Sequence, residues 1–326
     1  MNHAFPLSNY QTSVAQRSQL DFSRARYRRR KINNWIMLSL TGLLTLLALV
    51  PLFWIVGYVI YKGGQYINLS FFTHMPLPLG MEGGGVLHAI EGTIILTLLS
   101  ALFAIPPGVL AAFYVAYKPN TPLGAAVRFS TDVLAGVPSI VIGLFIYALI
   151  VKTQQHYSAL AGGVALAILM LPTIIRTTEE MLKLVPQALR EGALALGSPE
   201  WKASLSVILP AAGNGVVTGV LLGIARASGE TAPLLFTALG NENYEIGRIV
   251  NAGITAHQSV FTILGKVFGQ PVDSLPLTLW KYAQQPFPER VNQAWAVAMV
   301  LMLLVLATNI LARVWMQIRT AKMQGK

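Results

Sequence analysis

Val185-Pro186-Gln187-Ala188-Leu189-Arg190-Glu191-Gly192-Ala193-Leu194-Ala195-Leu196-Gly197-Ser198-Pro199-Glu200 interrupts a chain that is otherwise mostly apolar. Pro186 suits the first turn of a short helix, and Gly197 suits the residue just past its end. Ser198 can cap a second helix, with Pro199 at its first position and Glu200 favourable to its dipole. Two short helices at right angles would form a knob that another protein can grip. The knob lies in a connection, 176–210, between an apolar segment from about Ala159 to Ile175 and another from about Ala211 to Leu239.

Further apolar segments run from about Trp35 to Ile60, Ala89 to Tyr117, Phe129 to Val151 and Trp295 to Trp315. Each is near the roughly 20 residues that cross a hydrocarbon core. The expected fold is therefore an all-α polytopic membrane protein with six transmembrane helices, Ala159–Ile175 being the shortest. Composition agrees: of 326 residues, 54% are hydrophobic and 11% are charged, with a mean hydropathy of +0.57. A soluble domain carries about 25% charged residues. No cysteine is present, which removes disulfides and thiolate chemistry.

The expected organisation is a basic arm at 1–32, a first span at 33–61, an outer loop at 62–88, a membrane core at 89–316 and a tail at 317–326. The first apolar stretch is longer than the apolar region of a signal peptide and reads as a retained helix. Six spans place both termini on one side. That side carries seventeen Lys and Arg, the other carries six, and Arg226 falls inside a span. The positive-inside rule makes the side of the termini cytoplasmic. The arm (Arg17, Arg24, Arg26, Arg28, Arg29, Arg30, Lys31) fixes topology and attracts anionic membrane lipid. With Tyr27 the only aromatic interleaved between Arg24 and Lys31, no nucleic acid partner is expected.

The outer loop at 62–88, with Gly63-Gly64, Pro76, Pro78 and Gly83-Gly84-Gly85, reads as surface chain without regular structure. The outer loop at 240–292 holds an apolar piece, Ser259 to Phe268, and a Pro-bounded piece, Leu277 to Ala283. It can lie on the membrane, dip into it, dock a partner, or cap the bundle.

Ionisable groups inside a span are rare and costly, and they face a partner or a water-filled cavity. Arg226 and Glu230 are four apart in the fifth span, on one face of a helix. They either pair and fix packing, or Arg226 offers a planar bidentate donor to an oxyanion while Glu230 balances its charge in the closed state. Pro233 cannot donate to the Gly229 carbonyl, so a break is expected near Gly229-Glu230-Thr231, where freed polar groups can line a passage. Gly215, Gly219 and Gly223 recur every four residues and allow another helix to approach closely, within this chain or from a second subunit. Arg176, at the cytoplasmic end of the fourth span, reads from its position as a headgroup anchor. Glu91 and Asp132 read as caps or interface groups. His74, His88, His156 and His257 have no metal spacing, so no metal site is expected. No phosphate-cradling loop or catalytic constellation is present, which makes this a non-catalytic chain with no nucleotide site of its own.

The stretch from Glu191 through Gly197 to Val207-Ile208-Leu209-Pro210 resembles the EAA loop of the membrane subunits of ATP-binding-cassette importers. In that family a glutamate, a glycine six residues on and a terminal Ile-x-Leu-Pro recur. Gly192 stands here where alanine is usual, and Val207 where isoleucine is usual. Arg226-Ala-Ser-Gly-Glu230-Thr231-Ala-Pro233-Leu-Leu-Phe-Thr237, Asp273-Ser-Leu-Pro276 to Tyr282, and Thr308-Asn309-Ile-Leu-Ala-Arg313 are similar to the A-type permeases of phosphate importers. The likeness runs from about Glu91 to the C-terminus and leaves out the basic arm.

The resemblance implies a type I ABC importer permease fold in a bacterial inner membrane, with a cytoplasmic coupling loop at 176–210. Glu191, Gly192, Ala193, Gly197, Leu209 and Pro210 would belong to ATPase coupling. Arg226, Glu230, Thr231 and Arg176 would belong to the phosphate pathway, in an alternating-access mechanism. Implied partners are a second related permease subunit, two copies of an ATP-binding subunit and a periplasmic phosphate-binding protein. ATP and Mg2+ would be used by the partner subunits, with no cofactor bound by this chain. A permease for another oxyanion, molybdate or sulfate, is the nearest alternative; an autonomous anion channel or secondary carrier would need no docking loop.

Overall fold

The computed structural model describes residues 8–81 and 83–323, and side chains for 26–310, 313 and 314 apart from 82. The side chains of Arg17, Arg24, Arg319, Lys322 and Lys326, counted above, lie outside the described residues. In chain order the helices are α1 (Ser8–Gly63), α2 (Leu69–Thr73), α3 (Leu87–Tyr117), α4 (Pro122–Gly136) and α5 (Ser139–Ile146). A π-helical turn (Tyr147–Val151) leads to α6 (Lys152–Gln154), followed by α7 (Ala159–Lys183), α8 (Gln187–Ala195) and α9 (Glu200–Ala203). A second π-helical turn (Ser204–Ile208) joins α10 (Leu209–Ser228), and then come α11 (Ala232–Thr237), α12 (Ile246–Thr255), α13 (Val260–Gly269), α14 (Leu275–Ala283) and α15 (Pro288–Met323). Among the described residues the β-structure is one isolated bridge, Leu239 with Val272.

The chain divides into two compact units, Met1–Tyr58 and Val59–Lys326. The first holds most of α1, whose Trp35, Leu43, Leu47, Phe53 and Trp54 are all exposed. A helix that is apolar all round belongs in lipid.

In the second unit, α3 and α7 share the most extensive helix contact and α10 packs against both. Lipid tails are as apolar as leucine, so membrane helices gain by close packing, which small residues permit. Gly162 and Gly163 of α7 admit Leu96 and Leu99 of α3, and Gly108 of α3 admits Ile174. These leucines and Ile174 join Leu166, Met170, Ala227 and Leu234 in one buried cluster.

Among the described residues five helices are long and apolar enough to cross a membrane: Arg26–Gly63, Leu87–Tyr117, Ala159–Lys183, Glu200–Ser228 and Pro288–Ile310. The apolar run Phe129–Val151, expected as one span, is instead two helices, Pro122–Gly136 and Ser139–Gln154, bent by 106°. Pro138 is the cause. It lacks an N–H and holds Val137 extended (φ −74°, ψ 129°), so the helix must restart. Hydropathy cannot register that bend, because apolar residues continue through it. The short fourth segment is longer than expected: α7 begins with Ser158 accepting from the Ala161 amide at 3.1 Å and continues through Pro172 to Lys183.

The loop 62–88, expected to be irregular, contains α2, capped by Asn68 accepting from the Phe71 amide at 2.8 Å with Phe71 buried. Across from it, Arg290 of α15 donates to the Leu77 carbonyl at 2.6 Å. The 240–292 loop is mostly helical. Its segment Val272–Thr278 is buried against α3, where Leu275 N donates to Thr93 Oγ1 at 2.8 Å. The α12–α13 hairpin is more open, with Ile254, Val260 and Phe261 exposed.

Candidate functional site

The Pro233 effect is visible in the backbone. α10 ends at Ser228, Gly229 closes it by donating to the Arg226 carbonyl at 3.1 Å, and α11 restarts at Ala232 with the Thr231 carbonyl accepting from Leu234 N at 3.1 Å. Ser228 Oγ lies 3.3 Å from Thr97 Oγ1 of α3, which ties the break to the core. Gly143 of α5 packs against Pro233 from another side. Irregular backbone at membrane depth is tolerated where protein or a water-filled cavity surrounds it.

At this break Arg226 Nε lies 3.7 Å from Glu230 Oε1, with the side chains 49% and 19% exposed. That distance is an ion pair but exceeds a hydrogen bond. The guanidinium is therefore half free to face out of the chain and keeps donors for a second anion. Lipid is an expensive surrounding for arginine, so the exposed half faces a polar passage or a partner.

A second ionic constellation joins α4 to α7. Arg176 pairs with Asp132, while Glu179 Oε1 accepts from Arg128 and from Lys183, both at 2.6 Å. Together with Thr131, Ile175 and Glu180 they line a cavity of about 290 Å³. Its three cations and three carboxylates balance. The sequence reading reached Arg176 alone; Asp132, read as a cap or interface group, is its counter-ion, and the Arg128–Glu179–Lys183 triad was missed. The signal was present, since Arg176, Glu179, Glu180 and Lys183 share one helical face of α7. Arg226 is not among the residues lining this cavity, so the structure does not bring Arg176 and Arg226 together there.

The knob is built from α8 and α9. Gly197 takes φ +83°, its amide donates to the Leu194 carbonyl at 2.9 Å, and the Ser198 amide donates to the Ala193 carbonyl at 3.2 Å. These two bonds form a Schellman closure. Ser198 was expected to cap α9, but Pro199 holds the cap position and no side chain caps the helix. Ala193 is buried, Glu191 and Gly192 are exposed, and Leu196 and Trp201 are 88% and 67% exposed. Leu209 and Pro210 begin α10, with Ile208 buried just before them.

The glycine stripe of α10 faces α7 in this chain: Gly215 lies against Met181, Gly219 against Thr177 and Gly223 against Ile174. On the side of the bundle away from the knob, Asp273 is fully buried. It accepts from Lys281 Nζ at 2.5 Å and from the Ser274 amide at 2.9 Å, with His88 Nε2 at 3.7 Å. Glu91 Oε2 accepts from the Ile246 amide at 2.8 Å and so caps α12 from α3. Burial pushes the Tyr244 hydroxyl above its ordinary range, and it donates to the Val267 carbonyl at 3.0 Å. Among the described residues no cluster of His, Asp and Glu could hold a metal ion.

A bundle of membrane-crossing helices, a broken helix carrying an arginine and an exposed helical knob define a transport subunit of the membrane. Residues 104–318 match the family of binding-protein-dependent transport system inner membrane components, and the chain belongs to that family. It is a multi-pass membrane transport component rather than an enzyme. The phosphate transport system permease protein PstA of Yersinia pestis is 41% identical over 286 residues, covering 87% of this chain and 90% of the relative. The PstA protein of Pasteurella multocida is also 41% identical, covering 88% and 95%. A crystal structure of a bacterial ABC transporter involved in the import of the acidic polysaccharide alginate matches the fold with a TM-score of 0.53 at 13% identity, over 88% of this chain and 98% of that one.

Proposed function

We propose that this chain is one of two permease subunits of an ATP-driven, binding-protein-dependent importer of inorganic phosphate, and that Arg226 is a phosphate contact on its pathway. The observation that carries this reading is the half-exposed guanidinium at the α10–α11 break, in a chain whose relatives are phosphate transport permeases. Arg226 would present planar donors to the anion, and Glu230 would balance the charge when the site is empty. Thr231, at the break, would add polar lining beside them. Arg176 would serve as a second station, reached after the anion exchanges with Asp132.

Exposed Leu196 and Trp201, beside Glu191 on the knob, support docking to an ATP-binding subunit. Two copies of that subunit, which would use ATP and Mg2+, a related second permease and a periplasmic phosphate-binding protein complete the proposed assembly. The chain would sit in the bacterial inner membrane with both termini cytoplasmic, so that its basic side faces inward. ATP binding would move the knob, and the helices would reorient around the anion, as alternating access requires differential contacts in two states.

The test is ATP-driven uptake of labelled phosphate into proteoliposomes holding the complete complex and its binding protein, comparing wild type with Arg226→Gln and adding sulfate as competitor. ATP-dependent uptake that ignores sulfate and collapses in the variant, with the complex still assembled, upholds the proposal. Uptake indifferent to Arg226→Gln reduces the residue to a packing pair. Competition by sulfate moves the protein to the broader oxyanion class.

A further inference from the structure

Arg190 precedes Glu191 in α8 and touches two further elements, α9 and α3. Its Nη2 lies 3.2 Å from Glu200 Oε1 at the start of α9, and its guanidinium carbon stands 5.2 Å from the ring centroid of Tyr117 at the end of α3. The Tyr117 ring in turn stacks on Phe113 with centroids 6.1 Å apart. The side chain is about two-thirds buried, over a groove whose walls include Leu182, Pro186 and Ile208. A guanidinium can offer its edge to a carboxylate and its face to a ring at once; a lysine ammonium cannot do both.

At its far end α3 is tied again. Glu91 and Thr93 accept from the Ile246 and Leu275 amides, which start α12 and α14. One helix thus links the knob to the helices of the opposite side. We infer that Arg190 is a positioning residue that passes displacement of the knob to α3, and through α3 to α12 and α14. The inference rests on the proposed docking of the knob to an ATPase. Docking itself needs the outward residues Glu191, Leu196 and Trp201, whereas Arg190 turns inward onto Tyr117.

The test uses the complete complex in proteoliposomes with Arg190→Gln, Arg190→Lys, Tyr117→Leu and Tyr117→Phe. Three quantities are read: ATPase subunit retained, basal ATP hydrolysis, and stimulation of hydrolysis by phosphate-loaded binding protein. Arg190→Gln and Tyr117→Leu retain the ATPase subunit and hold basal hydrolysis within about twofold, yet lose about fivefold or more of the stimulation, the usual size of a broken coupling. Tyr117→Phe behaves as wild type, Arg190→Lys falls between, and the Arg190→Gln/Tyr117→Leu double variant is no worse than the weaker single. Unchanged stimulation in Tyr117→Leu overturns the inference. Loss of the ATPase subunit from Arg190→Gln also overturns it, because Arg190 would then belong to the dock. If Tyr117→Leu does not assemble, Arg190→Lys decides: a partial loss upholds the link and an unchanged value sinks it. A wild-type complex without ATP-driven uptake would instead overturn the functional reading.

Discussion

Gly143 of α5 lies so close to Pro233 of α11 that a methyl group on it would stand 2.6 Å from the Pro233 Cα and 3.0 Å from its carbonyl oxygen. The bent α4–α5 pair and the α10–α11 break therefore meet backbone to backbone. Neither element can shift far without the other, since backbone atoms cannot rotate away as a side chain can.

Gly143→Ala is accordingly expected to destabilise the chain by about 1–3 kcal/mol, the cost of overpacking a tight contact. Thermal unfolding in detergent reads this as a lower midpoint. An unchanged midpoint would mean that α5 can slide on α11.

Gly192→Ala should act in the opposite direction. Gly192 lies within α8, and an added Cβ would meet nothing within 4 Å. Alanine should stabilise the helix by about 0.5–1 kcal/mol through reduced backbone entropy in the unfolded chain. A lowered midpoint in the same assay would contradict the open surroundings.

Asp273 and Lys281 form a buried pair whose two members differ in exposure, 0% against 24%. Lys281→Met strands a buried carboxylate and should cost about 3–5 kcal/mol. Asp273→Asn should cost less, because the ammonium can turn toward solvent. The double variant should recover part of the Lys281→Met loss; a fully additive result in thermal unfolding would argue against direct pairing.

Asp132→Asn removes the counter-ion of Arg176 and leaves the α4–α7 cavity with a net positive charge. If that cavity lies on the anion pathway, phosphate should be held more tightly and released more slowly, with uptake turnover falling about three- to tenfold. Uptake kinetics at two ionic strengths check this, since the variant should gain salt sensitivity. Turnover at the wild-type rate in both salts would place the cavity off the pathway.

Leu196 and Trp201 are exposed apolar anchors on the knob. Leu196→Asp or Trp201→Ala should lower ATPase subunit binding about tenfold or more, as loss of an interface hot spot does, while leaving thermal unfolding of the isolated chain unchanged. Co-purification against a titrated amount of the partner measures it.

Much of this fold is legible in the sequence, because membrane helices announce themselves by apolar length and Pro233, just after Gly229, points to the break between α10 and α11. The knob was equally legible from Pro186 and Gly197. Pro138 is not legible as a bend, because it sits within a mostly apolar run whose mean hydropathy one imino acid scarcely changes. The α4–α7 ion cluster was harder still, since Arg128 and Glu179 are 51 residues apart in sequence and only packing brings them together. Arg226 and Glu230 were found by spacing, but their 3.7 Å separation and unequal exposure depend on how the chain restarts after Gly229.

Gly197 combines a φ of +83° with empty space where a side chain would begin. What the position demands is handedness rather than smallness. A D-alanine introduced there by chemical ligation would fit as readily as glycine, whereas its L-enantiomer would strain the turn by about 1 kcal/mol. The residue that looks most like a size-restricted contact in the knob is thus set by the stereochemistry of the chain itself, and its conformation is fixed before any partner arrives.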